Sequence, residues 1–373
     1  MRIFRASQSI PLSKPFLDKR DEERARAAIR SGWLTQNGSE VKLMEETLQN
    51  YYCLKTNQPD FICKSASNGT TALHLALLSI GIEEGDEVVI PNFAYAAVAN
   101  SVLYCNATPV LVDVNFDTWN LDVDLVLQAI TKKTKAVILV DNYGIEADYL
   151  KLRSLLDDRI IIIRDACESF PFIGSHYPLF LGDLITNSFF ANKIITSGEG
   201  GSIFGPSHFL DKISILRNQG VENPGSFQHS MMGYNYRISN LHAAIFNSQW
   251  ERLETLKSKR TKIFAKYNEF FARNFPNSRT NAHSTPWLFT VNFSDVEVAK
   301  LRSFLKIHQI ETRPGFTPFH KFPYLTKYGK HPYLISESLS ANMISFPTFP
   351  ELTEANMAHI MKTTLKFQSE HAG

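Results

Sequence analysis

A single lysine stands between an aromatic run and a glycine-rich segment in residues 188–201, Ser-Phe-Phe-Ala-Asn-Lys-Ile-Ile-Thr-Ser-Gly-Glu-Gly-Gly. The apolar neighbours of Lys193 disfavour its charged form, so its amine is a usable nucleophile near neutral pH. The natural partner of such an amine is an aldehyde, and pyridoxal phosphate (PLP) supplies one. The glycines allow the backbone to turn tightly beside a bulky ring. Taken alone, this segment also fits an ordinary solvated lysine.

A carboxylate ends the most β-branched run of the chain, residues 160–165. We expect Asp165 to be at least partly buried, and a buried carboxylate needs a cationic or hydrogen-bonding partner. A protonated pyridine nitrogen is one such partner. A simple helix cap for the turn at residues 166–168 is the alternative, and the position of Lys193 further along the chain favours the cofactor.

A small, polar, glycine-containing turn, Ser-Ala-Ser-Asn-Gly-Thr-Thr at residues 65–71, opens a helix with apolar residues at helical spacing. Free backbone N–H groups and the helix dipole make such a turn suitable for a phosphate. The turn is not a P-loop, because no Gly-Lys-Ser/Thr follows. A plain N-cap at Ser67 or Asn68 is the alternative.

These candidate groups are separated by alternating strand and helix patterns. Strands are predicted at residues 61–63, 87–91, 109–113, 136–140 and 160–165, and helices at 40–52 (capped by Ser39), 122–130 and 148–156. This alternation predicts an α/β fold with a mostly parallel sheet between helices. Ligands bind such sheets at the carboxyl ends of the strands. The turns after Cys63 and Pro91, Asp165 and the Lys193 loop should therefore share one site.

The C-terminal part of the chain has a different pattern. A glycine- and asparagine-rich stretch at residues 220–236 precedes a predicted long helix over 239–274. Beyond about residue 281 the pattern is that of a small α/β lobe. We therefore predict a large cofactor-binding domain with an N-terminal arm at residues 1–238, and a linking helix with a smaller domain at 239–373.

The composition excludes several classes of protein. The 373 residues contain 44% hydrophobic and 20% charged residues with a net charge of +2, which is typical of a globular protein without a nucleic-acid footprint. No apolar run has the length of a membrane helix, and residues 1–12 lack the apolar core of a secretory signal. The four cysteines are far apart, which predicts no metal site and reduced thiols in a cytoplasm.

Short motifs follow one another from about residue 12 to 320: Ser-Asn-Gly-Thr-Thr-Ala-Leu (67–73), Gly-Asp-Glu-Val-Val-Ile-Pro (85–91), Ala-Thr-Pro-Val (107–110), Asp-Ala-Cys-Glu (165–168), Ser-Phe-Phe-x-x-Lys (188–193), Gly-Glu-Gly-Gly (198–201), Gly-Tyr-Asn-Tyr-Arg (233–237) and Thr-Arg-Pro (312–314). In this order they resemble the PLP-dependent sugar aminotransferases of the DegT/DnrJ/EryC1/StrS family. The resemblance implies PLP fold type I, like aspartate aminotransferase, with a seven-stranded sheet.

The resemblance also implies roles around the cofactor ring. Lys193 matches the lysine that bonds covalently to PLP and later moves the proton. Asp165 matches the partner of the pyridinium nitrogen, which keeps the ring an electron sink. Glu168 stands where the family often has glutamine in contact with the ring oxygen, and Tyr95 matches the aromatic residue that stacks on the ring.

Other matched residues are implied to bind the phosphate and the substrate. The phosphate cradle matches Gly69, Thr70 and Ser188. Asn235 matches a residue that reaches the phosphate from the neighbouring subunit, which implies a homodimer with shared active sites. Arg313 and His320 lie in a loop that resembles the nucleotide-sugar binding region.

The reaction implied is transfer of an amino group from glutamate to a nucleotide-linked keto-sugar. Residues 189–201 are most similar to the 4-aminotransferases that make GDP-perosamine and related 4-amino-4,6-dideoxy sugars for O-antigen lipopolysaccharide and other surface glycans. A 3-keto substrate stays open, as does a non-catalytic PLP-binding regulator. A PLP-dependent sugar dehydratase is disfavoured, because those relatives replace the lysine with histidine.

Three departures from the family pattern concern the expected substrate side. Arg164 stands where an acidic residue is common, and Asp141 stands where histidine is common. The segment at residues 170–183 is short and lacks a glycine-rich hairpin pattern. We expect these departures to affect which sugar is bound rather than the PLP chemistry.

Overall fold

The computed structural model describes residues 9–171, 182–223, 225, 227–330 and 332–371. The helices are α1 (Lys19–Arg30), α2 (Ser39–Thr56), α3 (Gly69–Ser79), α4 (Ala97–Tyr104), α5 (Val123–Ala129), α6 (Tyr149–Leu155), α7 (Ser207–Leu216), α8 (Asn240–Trp250), α9 (Leu253–Asn274), α10 (Val298–Ile307), α11 (Leu334–Asn342) and α12 (Glu354–His371). The strands are β1 (Phe61–Ala66), β2 (Glu87–Pro91), β3 (Thr108–Val112), β4 (Thr134–Val140), β5 (Ile161–Asp165), β6 (Leu184–Ser188), β7 (Gly201–Pro206), β8 (Arg279–Thr280), β9 (Phe289–Asn292), β10 (Arg313–Pro314) and β11 (Met343–Phe346).

The larger sheet has seven strands in the order β1-β7-β6-β5-β4-β2-β3. Only β7 runs against its neighbours, so β1 to β6 all end at the same edge. Successive side chains face opposite sides of the sheet: Val88 and Ile90 pack towards α3 and α4, whereas Val89 packs towards α5 and α6. The predicted α/β fold with a mostly parallel seven-stranded sheet between helices is confirmed.

The smaller sheet has four antiparallel strands in the order β10-β11-β9-β8. Its buried face packs against α9, α10 and α12 through a cluster rich in phenylalanine, including Phe271, Phe289 and Phe346. The N-terminal arm joins this lobe, because the backbone of Ile10 bonds to Gln309 and Leu12 accepts a hydrogen bond from the N–H of Thr348. Among the described residues, no helix is both long enough and apolar enough to cross a membrane.

The predicted long helix over residues 239–274 is wrong in one respect, because it is broken into α8 and α9 at Arg252. The Arg252 side chain is buried and forms ion pairs with Asp18 and Asp21 of the α1 terminus. α8 packs against α1 and α2, whereas α9 packs on the smaller sheet. The domain boundary near residue 238 stays a prediction, and this packing favours a boundary at the break instead.

The predicted N-cap at Ser39 is also wrong. Ser39 is the first residue of α2, Gly38 occupies the N-cap position, and no side chain within the segment caps the helix. The side-chain oxygen of Asn240 accepts a hydrogen bond from the N–H of Glu40 at 3.0 Å instead. A residue from α8 thus satisfies a donor that local sequence leaves free.

Candidate active site

The N-terminus of α3 presents unpaired donors beside the end of β6. Asn68 caps the helix through the N–H of Thr71, so the N–H groups of Gly69 and Thr70 have no acceptor in the described chain. A Cβ added at Gly69 would lie 2.9 Å from the Cβ of Ser188, so only glycine allows this close approach. The free N–H groups, the helix dipole and the Ser188 hydroxyl form a cradle suited to a phosphate.

Lys193 lies in the loop that joins β6 to β7. Backbone hydrogen bonds brace the loop: the N–H of Phe189 donates to Gly200, that of Ser197 to Phe189, and that of Lys193 to Phe190. The next two residues, Ile194 and Ile195, are buried in separate apolar clusters. The lysine is thus held by rigid backbone at the carboxyl edge of the sheet, as the sequence predicted.

Two carboxyl groups are buried next to this lysine. Burial raises the pKa of Asp165, and the positive charge of Lys193 opposes that rise. Burial also raises the pKa of Glu168, to about 7, and Lys193 and Arg313 act in the opposite direction. The structure therefore brings Asp165, Glu168 and Lys193 within electrostatic reach of one another. Asp165 also caps the following turn through the N–H of Cys167 at 3.0 Å, so the two interpretations of Asp165 are compatible.

A strained turn after β4 supplies a hydrogen bond to Glu168. The N–H of Tyr143 donates to Oε2 of Glu168 at 2.7 Å. Tyr143 has φ 54°, in the left-handed region that few residues other than glycine adopt. Its ring stacks on Phe316 with centroids 4.9 Å apart. The sequence analysis did not select Tyr143, although it lies in the segment that departs from the family pattern.

Arg164 and Asp141 do not line a substrate surface, which corrects the expectation. Both side chains are buried, and they form an ion pair with Nη2 of Arg164 2.7 Å from Oδ2 of Asp141. Ser169 donates a further hydrogen bond to this carboxylate. The two departures from the family pattern compensate each other inside the core. The third, in residues 170–183, lies mostly outside the described residues.

Tyr95 and Asn235 are open to solvent in the single chain. Tyr95 follows β2 and is 64% exposed. Asn235 is exposed in the loop before α8, and its side-chain oxygen accepts a hydrogen bond from Arg237 at 3.1 Å. Neighbouring apolar side chains are also uncovered, most of all Phe227 at 96% and Met232 at 80%.

Arg313 and His320 differ in how far their side chains are engaged. The side chain of Arg313 has no hydrogen bond or ion pair with another described residue, and its charge opposes the rise in the pKa of Glu168 and of Tyr143. His320 uses both ring nitrogens: Nδ1 accepts from the side-chain amide of Asn92 at 2.9 Å, and Nε2 lies 3.0 Å from Glu337. The backbone N–H of His320 also donates to Asn92. Arg313 is therefore free for an anion, whereas His320 fastens its loop to the end of β2.

Trp287 is a contact of Lys193 that sequence reasoning missed. The Nζ atom of Lys193 lies 4.1 Å from the centroid of the indole ring. Trp287 is nearly a hundred residues away in sequence and precedes a strand of the other sheet, so no local pattern could reveal the contact.

The residues present fit PLP. Lys193 would supply the amine for its aldehyde, Asp165 a buried carboxylate for its ring nitrogen, and Gly69, Thr70 and Ser188 free donors for its phosphate. Placed at the carboxyl edge of a seven-stranded sheet with one antiparallel strand, this set of groups defines a PLP-dependent aminotransferase of fold type I.

Comparison with known proteins narrows the class. The chain belongs to the DegT/DnrJ/EryC1/StrS aminotransferase family, whose sequence profile matches residues 15–365. It is 35% identical to the GDP-perosamine synthase of Escherichia coli O157:H7, over 97% of this chain and 99% of that protein. It is 34% identical to the Vibrio cholerae GDP-perosamine synthase, over 94% of this chain and 97% of that protein. The PLP form of the sugar aminotransferase Spr1654 from Streptococcus pneumoniae superimposes with a TM-score of 0.88 at 25% identity, over 97% of this chain and 99% of that chain.

The raised pKa of Glu168 predicts a pH-dependent stability in the apoprotein. Burial raises this pKa from 4.5 to about 7, so the folded chain keeps a proton that the unfolded chain loses between those values. The stabilisation from that proton is complete below pH 4.5 and is lost as the pH rises to about 7. We expect the loss to be about 3 kcal/mol. Glu168→Gln keeps a neutral side chain, so it should be more stable than the wild type at pH 8 and similar at pH 4.5.

Urea unfolding of both apoproteins at several pH values measures this difference. Glu23→Gln, which changes an exposed carboxylate on α1, is the matched control and should show no widening gap. A difference between Glu168→Gln and wild type that stays constant from pH 4.5 to 8 would contradict a buried, protonated Glu168.

Proposed function

We propose that this enzyme transfers an amino group from glutamate to C4 of a nucleotide-linked 4-keto-6-deoxy sugar, giving a 4-amino-4,6-dideoxy sugar of the perosamine type. The observation that carries the proposal is the group of Lys193, Asp165 and Glu168 at the edge of the sheet, in a chain that matches two GDP-perosamine synthases over nearly its full length. The product class fits the assembly of O-antigen and other surface glycans.

In this proposal each residue near the ring acts on one part of PLP, which supplies an electron sink for the amino carbon when bound. Asp165 holds the proton of the ring nitrogen, and Tyr95 covers one ring face. Glu168, whose pKa burial raises to about 7, would donate a hydrogen bond to the ring oxygen in its protonated form, the role that the family resemblance implies for this position. Lys193 acts as general base and acid: its amine takes the proton from the amino carbon and returns it to the carbon that carries the aldehyde in free PLP.

The phosphate and the substrate are held by donors and cations. Gly69, Thr70 and Ser188 bind the cofactor phosphate. Arg313, which has no carboxylate partner in the described chain, receives an anion of the substrates, either the pyrophosphate of the nucleotide sugar or a glutamate carboxylate. His320 remains a predicted substrate contact, but its bonds to Asn92 and Glu337 support a role in holding the loop.

A second copy of the chain completes the site in this proposal. Asn235 reaches the phosphate of the partner subunit, which accounts for its exposure here. The uncovered side chains of Phe227 and Met232 in and beside the same loop are apolar surface that a dimer would bury. Light scattering of the purified protein measures the mass, and a monomer at micromolar concentration would contradict shared sites.

We also place the enzyme in the cytoplasm. All four cysteines are free thiols in the structure, with Cys63 and Cys105 buried. Free thiols are typical of a reducing compartment.

The test is an assay of PLP-loaded enzyme with glutamate and a matched pair of nucleotide sugars, one with a keto group at C4 and one at C3. We expect 2-oxoglutarate and a 4-amino sugar from the first, and at least about a hundred-fold lower kcat/KM with the second, because the keto carbon must lie within bonding distance of the cofactor. GDP- and dTDP-linked forms of the 4-keto sugar identify the nucleotide.

The outcomes separate the alternatives. Preference for the C3 ketone would make the enzyme a 3-aminotransferase. Loss of a sugar hydroxyl without 2-oxoglutarate would indicate a dehydratase. Cofactor binding with no reaction on either sugar would favour a regulator.

A further inference from the structure

The smaller lobe touches the amine of Lys193 through one aromatic ring. Trp287 precedes β9, is buried, and has the Nζ atom of Lys193 4.1 Å from its ring centroid. An ammonium over an indole face is stabilised by about 1 to 2 kcal/mol when the pair is partly desolvated. The ring face therefore offers a stabilising contact to the Lys193 ammonium, which the apolar neighbours in sequence are expected to disfavour.

The same ring fixes the backbone next to Lys193. Nε1 of Trp287 donates a hydrogen bond to the carbonyl oxygen of Asn192 at 3.1 Å. Ser13 of the N-terminal arm lies 3.5 Å from the same oxygen. Because the indole face contacts the amine and its edge bonds the preceding peptide group, the ring and the lysine are held in one orientation.

A buried arginine holds Trp287 itself. Arg260 of α9 is 1% exposed and donates through Nη1 to the carbonyl oxygens of Trp287 at 2.7 Å and Thr348 at 3.0 Å. Burial lowers the pKa of Arg260 to about 10, so the side chain stays charged at neutral pH. No carboxylate among the described residues is paired with it. A buried cation is costly, and here it anchors the backbone that carries the indole.

We propose that the indole face of Trp287 is the resting place of Lys193 in its protonated form, when the lysine is free of the cofactor, which makes Trp287 a positioning residue for release of the lysine. The inference rests on the proposed function, because an aminotransferase must free this amine in every cycle. Because the ring stabilises the free ammonium, it favours release of Lys193 from the cofactor over formation of the bond between them.

This role predicts that removing the indole strengthens the binding of PLP rather than weakening it. Removal of the indole destabilises free Lys193 in the apoprotein and leaves the bonded lysine less affected. PLP should therefore bind the apoprotein of Trp287→Leu about ten-fold more tightly than wild type, which corresponds to about 1.4 kcal/mol. Trp287→Phe keeps an aromatic face and should bind PLP only about two-fold more tightly than wild type. Structural damage to the site would weaken PLP binding instead.

The experiment titrates the full-length apoproteins with PLP at pH 7 and follows the absorbance of PLP bound through Lys193. Trp250→Leu is the matched control, because it removes a packed indole from the large lobe, and it should not tighten binding. A second measurement needs no destabilising change: the wild type is produced with fluorinated tryptophans, which keep their shape but have a weaker π face. PLP affinity should rise with the degree of fluorination, and the trend should disappear in Trp287→Phe.

An unchanged or lower affinity in Trp287→Leu, or no trend with fluorination, would overturn the inference. Neither readout uses a sugar substrate. Failure of the C4-sugar assay therefore leaves this result standing, and a normal sugar assay with no effect of Trp287 on PLP affinity removes only the role given to Trp287.

Discussion

Replacing Lys193 by alanine should lower the rate of amino transfer at least about 10⁴-fold, because one side chain supplies both the covalent attachment and the proton transfer. Neither Asp165 nor Glu168 can replace it, since neither contains an amine. Release of 2-oxoglutarate with the 4-keto sugar measures the rate. The absorbance of PLP bound through the lysine, and its loss on addition of glutamate, should be absent from the variant.

Lys262→Ala is the matched control, because it removes an exposed lysine of α9. It should keep wild-type turnover and absorbance. Added methylamine should restore part of the proton transfer in Lys193→Ala. Full turnover by Lys193→Ala without added amine would remove the basis for the site described here.

The second large effect is on stability and concerns the buried pair of Arg164 and Asp141. Nε and Nη2 of Arg164 lie 2.8 and 2.7 Å from Oδ2 of Asp141, and the other oxygen of Asp141 accepts the N–H of Ala147. Arg164→Met leaves a buried carboxylate without its cation, which should lower the free energy of unfolding by about 3–5 kcal/mol. Urea unfolding at pH 7 measures the loss.

A double-mutant cycle separates this pair from simple packing. Asp141→Asn alone strands the arginine charge and should cost a similar amount, although Glu146 lies 3.6 Å from Arg164. The double variant removes both charges and should lose clearly less than the sum of the single changes. Lys300→Met, which breaks an exposed pair with Glu297, should change stability by about 0.5 kcal/mol or less. Additive effects would mean that the two charges do not stabilise each other.

Much of the fold could be predicted because its signals are local. Val88, Ile90 and Ile138 lie in short apolar runs bounded by turns, and the strands containing them occur where periodicity places them. The cap at Asn68, one of two predicted candidates, likewise depends on a side chain three residues from its partner. In contrast, β7 and α7 were not predicted. The sequence before β7 is rich in glycine and has no strand pattern of its own, and the strand forms by pairing with β1 and β6.

The errors arise where a distant residue overrides the local pattern. The helical periodicity through Arg252 is continuous in sequence, yet the helix breaks because this side chain turns to Asp18 and Asp21, more than two hundred residues away. The N-terminus of α2 is capped from Asn240 for the same reason. In sequence, Arg164 and Asp141 are separate departures from the family pattern. In the structure, the pairing of β4 with β5 places their charges next to each other.

The sequence by itself determined the α/β class, the order of its main elements and the chemical types at the site: an amine, carboxylates and a glycine-opened helix, each read from neighbours within a few residues. Only the tertiary structure decided what surrounds them. It buried Glu168 and thereby raised its pKa, paired Arg164 with Asp141, and set Trp287 against Lys193. Burial, charge pairing and ring contacts depend on distances in space between segments far apart in the chain, and local spacing does not contain those distances.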